Sequence, residues 1–405
     1  MVIFGRWKDK TVTLSPKPNS FTVSVQAGRE STVFSYDGEG RLWTAMLDGI
    51  SYRRGLNGRT VAKWQTGAEG RERRWLSADE AARLEERARS AAGELWQAVS
   101  SGALQLSQPL PPGADQAFGR AAAFDAQRYA ADVQGYHQVY QPVGILPPDQ
   151  YMAVVLQATQ GCSFNTCTFC TFYRDRRFRI RPVAEFRQHA LGVRAFLGQG
   201  LSLRRTIFLG DANALVVPMP RLVELIDVVH EVYDVEKLGG IYAFLDGFSG
   251  EKKTAADYAL LAQRGLKRVY VGLESGNADL LKFLKKPGRP EDVVQAVKAM
   301  KAGGVSVGVI VLLGAGGRTY DRAHVRDTIQ ALNAMELDMD DLVYFSELIE
   351  DEGLEYTRDA YRENLRPLTP AERLAQGDEI EQALVFGDES GVPHISRYDI
   401  REFVY

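Results

Sequence analysis

Along the first 66 residues polar and apolar positions alternate around turn signals. "SFTVSVQ" (20–26), "STVFSY" (31–36) and "RLWTAML" (41–47) read as short antiparallel strands, with hairpin connections at "DGEG" (37–40) and "RRGLNGR" (53–59). Ser77 and Glu80 form a capping box with Leu76 as a staple, and "EAARLEERARSAAGELWQAV" continues at helical period. Residues 1–106 therefore predict a small antiparallel β-sheet plus helix domain. "SQPLPPGAD" (107–115) breaks the rhythm and opens a linker and lead-in that runs to residue 150.

From residue 151 continuous apolar runs alternate with amphipathic stretches. "MAVVLQA" (152–158), "RTIFLG" (205–210), "GGIYAFL" (239–245), "RVYVGLE" (268–274), "VSVGVIVLLG" (305–314) and "DDLVYFSEL" (340–348) are the apolar runs. Helical patterns follow the first five, near 183–197, 219–233, 254–264, 290–302 and 321–335. Strands buried on both faces read as unbroken apolar runs, so this is a parallel α/β core. Six units predict a partial (β/α)6 barrel over 151–348, short of the eight that close a TIM barrel. Residues 349–405 form a polar C-terminal extension with one helix around 370–385 and an aromatic end.

Forty-nine basic residues against 52 acidic ones leave a net charge of -3, which offers no bulk attraction to nucleic acid or an anionic membrane. The longest apolar runs are about half what a bilayer crossing needs. The first residues show no secretory pattern, so the expected compartment is the cytoplasm, where disulfides are disfavoured.

That matters for the three cysteines, which all lie in "GCSFNTCTFC" at 162, 167 and 170, directly after the first core strand. Loops after parallel strands form the active face of such folds. Structural zinc wants four protein ligands, and neither His137 nor His189 falls at a useful spacing. An iron–sulfur cubane on three cysteines instead leaves one iron open.

With this loop, the strand order and the later turns "GDAN" (210–213) and "GLESG" (272–276), the stretch 150–346 resembles the radical S-adenosylmethionine (radical SAM) superfamily. It is most similar to the subgroup holding coproporphyrinogen oxidases, methylthiotransferases and elongator-type enzymes. The C-x4-C-x2-C spacing here is one residue longer than that family's usual motif. The resemblance implies an open (β/α)6 barrel and a [4Fe-4S] cluster on Cys162, Cys167 and Cys170, with S-adenosylmethionine on the fourth iron. It also implies reductive cleavage to a 5'-deoxyadenosyl radical that abstracts hydrogen from a substrate. Phe169 would lie near the adenine. Gly210, Asp211 and Asn213 would meet the methionine amino group. Glu274 and Ser275 would hold the ribose, and Ser249 and Val309 would complete the cofactor wall.

Two bland readings stay open: a zinc-stabilised binding module, and a degenerate scaffold of the same fold. The arginine-rich "YRDRRFRIR" (173–181) suits an anionic substrate around Arg174 to Arg181, an acidic electron donor such as flavodoxin or ferredoxin, or a solvated turn. No cobalamin motif and no second cysteine set is present. Reaction and substrate are left unspecified.

Overall fold

The computed structural model describes residues 1–67, 70–246, 248, 253–386 and 391–405. It divides into two compact units, Met1–Pro142 with Leu191–Arg205 and Glu402–Tyr405, and Val143–Ala190 with Thr206–Arg401.

The first unit carries β1 (Ile3–Trp7), β2 (Lys10–Lys17), β3 (Ser20–Ala27), β4 (Glu30–Asp37), β5 (Leu42–Leu47), β6 (Ile50–Arg54), β7 (Thr60–Thr66) and β8 (Gly70–Trp75). Then come α1 (Ala78–Ser100), β9 (Leu104–Leu106), α2 (Ala114–Ala122) and α3 (Ala126–Val139). The strands form one antiparallel sheet in the order β8-β7-β6-β5-β4-β3-β2-β1-β9. Asp48 and Gly49, both at positive φ, make the two-residue turn between β5 and β6 that matches sheet twist. Register sends Phe21, Val23, Phe34 and Tyr36 to one face, where Leu84, Ala88, Ala92 and Leu95 of α1 cover them. The Tyr36 hydroxyl donates to the Ala88 carbonyl (2.6 Å), tying sheet to helix.

The sequence reading of 107–150 as linker differs from this arrangement. Phe118, Ala121, Phe124 and Tyr129 of that stretch belong to the same core. A Pro-rich break ends an element but does not end a core when the helices beyond it keep an apolar stripe.

The second unit is a parallel sheet of seven strands rather than six. They are β10 (Ala153–Gln157), β13 (Thr206–Gly210), β14 (Ile241–Leu245), β15 (Leu266–Glu274), β16 (Ser306–Leu313), β17 (Leu342–Glu347) and β18 (His394–Tyr398), adjacent in that order. A two-stranded ladder of β11 (Thr159–Gln160) and β12 (Arg179–Ile180) follows β10. The helices are α4 (Val183–Leu197), of which Leu191 onward falls in the first unit, α5 (Met219–Val232), α6 (Ala255–Gln263), α7 (Ala278–Phe283), α8 (Pro290–Ala302), α9 (Gly317–Ala334), α10 (Glu355–Arg362) and α11 (Pro370–Gln382).

Each strand lies beside the one before it in the chain. With right-handed crossovers all connecting helices then fall on one face, and the other face curls inward. The additional strand β18 comes from the presumed extension and pairs in parallel with β17, from Leu342↔His394 to Ser346↔Tyr398. Its residues are at most half-buried, so no continuous apolar run announced it. No helix among the described residues is long and apolar enough to cross a membrane.

Candidate active site

The β11–β12 ladder pairs Thr159 with Ile180 and Gln160 with Arg179, pinching residues 161–178 into a closed loop. Inside it the Asn165 amide donates to the Tyr173 carbonyl (2.9 Å). Arg174 reaches back to donate to the carbonyls of Cys167 (2.9 Å) and Cys170 (3.1 Å). From outside, the Thr168 N–H and the Thr166 hydroxyl donate to the carbonyls of Leu284 and Lys285 (3.0 and 3.2 Å). The Tyr356 N–H of α10 donates to the Thr168 carbonyl (3.1 Å). The loop is therefore fastened at its base, its middle and its far side.

Asp211 supplies the base. Its carboxylate accepts from the Gly161 N–H (2.9 Å) and the Gln157 amide (2.7 Å), and stands 3.5 Å from Arg176. Burial raises its carboxyl above the usual range, against the pull of those partners. Its oxygens are thus committed to the loop. Asn213 donates to the Ser163 hydroxyl (2.9 Å) and to Asp246 (2.6 Å), joining the loop to the end of β14. At Gly210 an added Cβ would meet only ordinary contacts with Val155 and Gln157.

Cys162, Cys167 and Cys170 are all free thiols, and all three line one cavity of about 330 Å³ together with Phe169 and Glu274. That volume lies within the roughly 300–1,000 Å³ range of small-molecule sites. Burial pushes the Cys167 thiol up and the Cys170 thiol up to about 12. Such thiols stay protonated near neutrality unless a metal takes the proton's place. Among the described residues no three His, Cys, Asp or Glu side chains are placed to hold a single metal ion. A cubane asks for something else, because each thiolate binds its own iron and the sulfurs stand a cluster's width apart. Three unpaired thiols on one tethered loop facing a cavity fit that donor set.

Glu274 ends β15 at positive φ, where the register to β16 shifts between Gly272 and Glu274. The bulge re-aims its carboxylate to 3.3 Å from the Lys286 ammonium, which sequence reasoning missed. Burial alone would lower Lys286, but Glu274 and then Cys167 outweigh it and hold the ammonium above its ordinary range. A Cβ on Gly272 would sit 2.2 Å from the Glu274 carboxylate oxygen, so a larger residue there would make that carboxylate shift.

The remaining expected residues lie elsewhere. Ser275 is fully buried off the cavity, its hydroxyl 2.7 Å from His324 Nδ1 and accepting from the Asn277 N–H (3.0 Å). Val309 is buried within the sheet, while Ile310 and Leu312 line the cavity. Strand alternation puts the two sets on opposite faces, and Val309 is one residue out of phase with the cavity wall. Ser249 lies outside the described residues. Of the five arginines, four are engaged: Arg174 as above, Arg176 with Asp175 and Asp211, and Arg179 and Arg181 both with Glu185.

Coproporphyrinogen III oxidase (HemN) from Escherichia coli, described as a radical SAM enzyme, is similar over 58% of this chain and 55% of its own, at 14% identity and a TM-score of 0.40. Methylornithine synthase (PylB) is similar over 57% and 63%, at 15% identity and a TM-score of 0.39. The radical SAM methyltransferase TsrM from Kitasatospora setae is similar over 51% and 39%, at 19% identity and a TM-score of 0.38. The chain thus spans less than two thirds of each. TsrM is also described with cobalamin and a [4Fe-4S] cluster bound, and OxsB with aqua-cobalamin and S-adenosylmethionine. No curated protein matches the chain. The model of the radical SAM superfamily, whose members are enzymes, matches from the end of β10 into α9, and residues 156–332 are accordingly a radical SAM domain.

Proposed function

We propose that this chain is a radical SAM enzyme, with Cys162, Cys167 and Cys170 on three irons of a [4Fe-4S] cluster and S-adenosylmethionine in the adjoining cavity. The observation that carries this reading is that all three free thiols face one cavity beside Phe169 and Glu274. When bound, the reduced cluster supplies the electron that splits a sulfonium C–S bond, and with it the power to take hydrogen from a substrate.

The chain's own residues bind and orient. Glu274 accepts from the ribose hydroxyls, and Lys286 beside it offers a cation to a carboxylate. Phe169, with Ile310 and Leu312, gives the adenine an apolar wall. Asp246, lining the cavity at the end of β14, presents a carboxylate to an ammonium, oriented by the Asn213 amide (2.6 Å) and the Phe248 N–H (3.2 Å). A one-electron donor of low potential, such as flavodoxin or ferredoxin, completes the system.

Anaerobic reconstitution with iron and sulfide tests the reading. The expected product holds about four irons per chain and absorbs near ~400 nm, and Cys167→Ala loses that absorbance. With dithionite and S-adenosylmethionine it forms 5'-deoxyadenosine. Stoichiometric zinc without iron would establish the binding module instead. A full cluster that never yields 5'-deoxyadenosine would establish the degenerate scaffold. Glu274→Ala should keep the cluster and weaken S-adenosylmethionine about tenfold by calorimetry, the cost of one lost charge-assisted contact. Unchanged affinity would remove Glu274 from the ribose site.

A further inference from the structure

The cavity has two kinds of wall. The cysteines, Phe169, Glu274 and Lys286 lie inside the stretch 156–332 that matches the family model. Ile145, Pro147, Ile349, Leu354, Tyr398 and Ile400 line the same cavity from outside that stretch. They come from the lead-in to β10, the segment after β17, and the end of β18. The strands β10 and β18 are the two edges of the sheet and do not pair with each other. Segments from both edges thus meet over one cavity, across an open seam.

This second wall carries almost no available charge. Its one cation among the described residues, Arg401, is paired with Asp399 (2.6 Å). Glu347 accepts from Arg373 (3.0 Å), and Asp351 accepts from the Gly353 N–H (3.0 Å). On this wall, among the described residues, the carboxylates of Glu347 and Asp351 outnumber that one cation, so it offers no net attraction to an anion. The engaged arginines of 174–181 do not line the cavity at all. Burying a phosphate or carboxylate against this wall without a partner would be strongly unfavourable.

We propose that this seam wall is the substrate subsite and that it takes an uncharged, largely apolar body, aromatic or aliphatic, with Ile349, Tyr398 and Ile400 setting the preference. The proposal rests on reading the cavity as a radical SAM site, and it names the substrate class that reading leaves open. It replaces the expectation of an anionic substrate at the arginine run.

The experiment titrates the full reconstituted chain, with S-adenosylmethionine present, with the neutral fluorophore N-phenyl-1-naphthylamine. The probe is expected to bind, and 1-naphthol to displace it at least tenfold more effectively than 1-naphthyl phosphate. Ile349→Asp and Ile400→Asp are expected to weaken the probe at least tenfold, with melting curves and iron content confirming folded protein. Ile400→Ser serves where the charge prevents folding. Displacement by 1-naphthyl phosphate as effective as by 1-naphthol would overturn the proposal. So would loss of the probe on adding S-adenosylmethionine, or unaltered binding in folded variants. Formation of 5'-deoxyadenosine without substrate is read separately, so failure of the subsite and failure of the cofactor assignment leave different traces.

Discussion

In the β1–β9 sheet each strand runs against its neighbours, so successive turns fall at alternate ends and no single edge collects them. In the β10–β18 sheet every strand runs the same way, and all the segments that follow strands leave from one rim. The cysteine loop follows β10, Asn213 follows β13, Asp246 follows β14, Glu274 closes β15, and Ile400 follows β18. Residues scattered over 240 positions of sequence are brought together by strand direction alone. The antiparallel unit achieves a well-covered core by local pairing, whereas the parallel one pays for long crossovers and gains a place where distant groups meet.

The strongest way to break that contrast is to cut the tether between two strand ends. Asp211→Ala leaves the Gly161 N–H, the Gln157 amide and Arg176 without their shared carboxylate. It should cost about 3 kcal/mol in denaturant melts, as removal of one partner from a buried charged network does. It should also lower iron loading on reconstitution, since the loop would lose its base. Full loading in a destabilised variant would show that the loop holds itself.

A smaller effect separates the units by pH. Burial holds His324 of α9 down at about 4 against an ordinary 6.5, with Asp327 opposing. Below about pH 6.5 the unfolded imidazole binds a proton that the folded one refuses until about 4. The stability it contributes is present above 6.5 and is lost as pH falls through that interval. Between pH 7.5 and pH 5 this one group should cost roughly 2 kcal/mol. His324→Gln should lose that part of the acid slope, measured as the difference between the two proteins' melts. An identical slope would mean that the ring is solvated in the folded state.

The smallest effect probes the other unit. Tyr36→Phe removes the hydroxyl that donates to Ala88. About 1 kcal/mol of stability should go with it, read by thermal melting. Iron content should stay as it was, because Tyr36 packs in the core of the first unit.

The sequence showed most clearly what is written in continuous runs. The first six strands of the parallel sheet announced themselves because their runs are apolar and mostly buried, and the cysteine loop because its spacing is dense in chemistry. The seventh strand did not, since an edge strand with half-buried residues has no apolar run to read. Phase was also invisible: without knowing which face of β16 turns inward, Val309 could not be told from Ile310. Asp211 was legible as an acceptor at a strand end, but its partners lie fifty residues back. Lys286 was silent for a related reason, as its meaning depends on a bulge that re-aims Glu274. Ser275 fell to the same local turn, which sends alternate side chains to opposite sides.

That β10 and β18 end the seven-stranded sheet has a consequence for how such a chain changes over time. A closed barrel fixes its bore by strand number and shear, so enlarging it means rebuilding every strand. Here the chamber is finished by two stretches, before β10 and after β17, that hold no cysteine and no part of the Asp211 tether. Insertions or replacements there that keep the Tyr356 bond to Thr168 can reshape what the chamber admits while the reactive loop keeps its geometry, which makes substrate choice an adjustable trait.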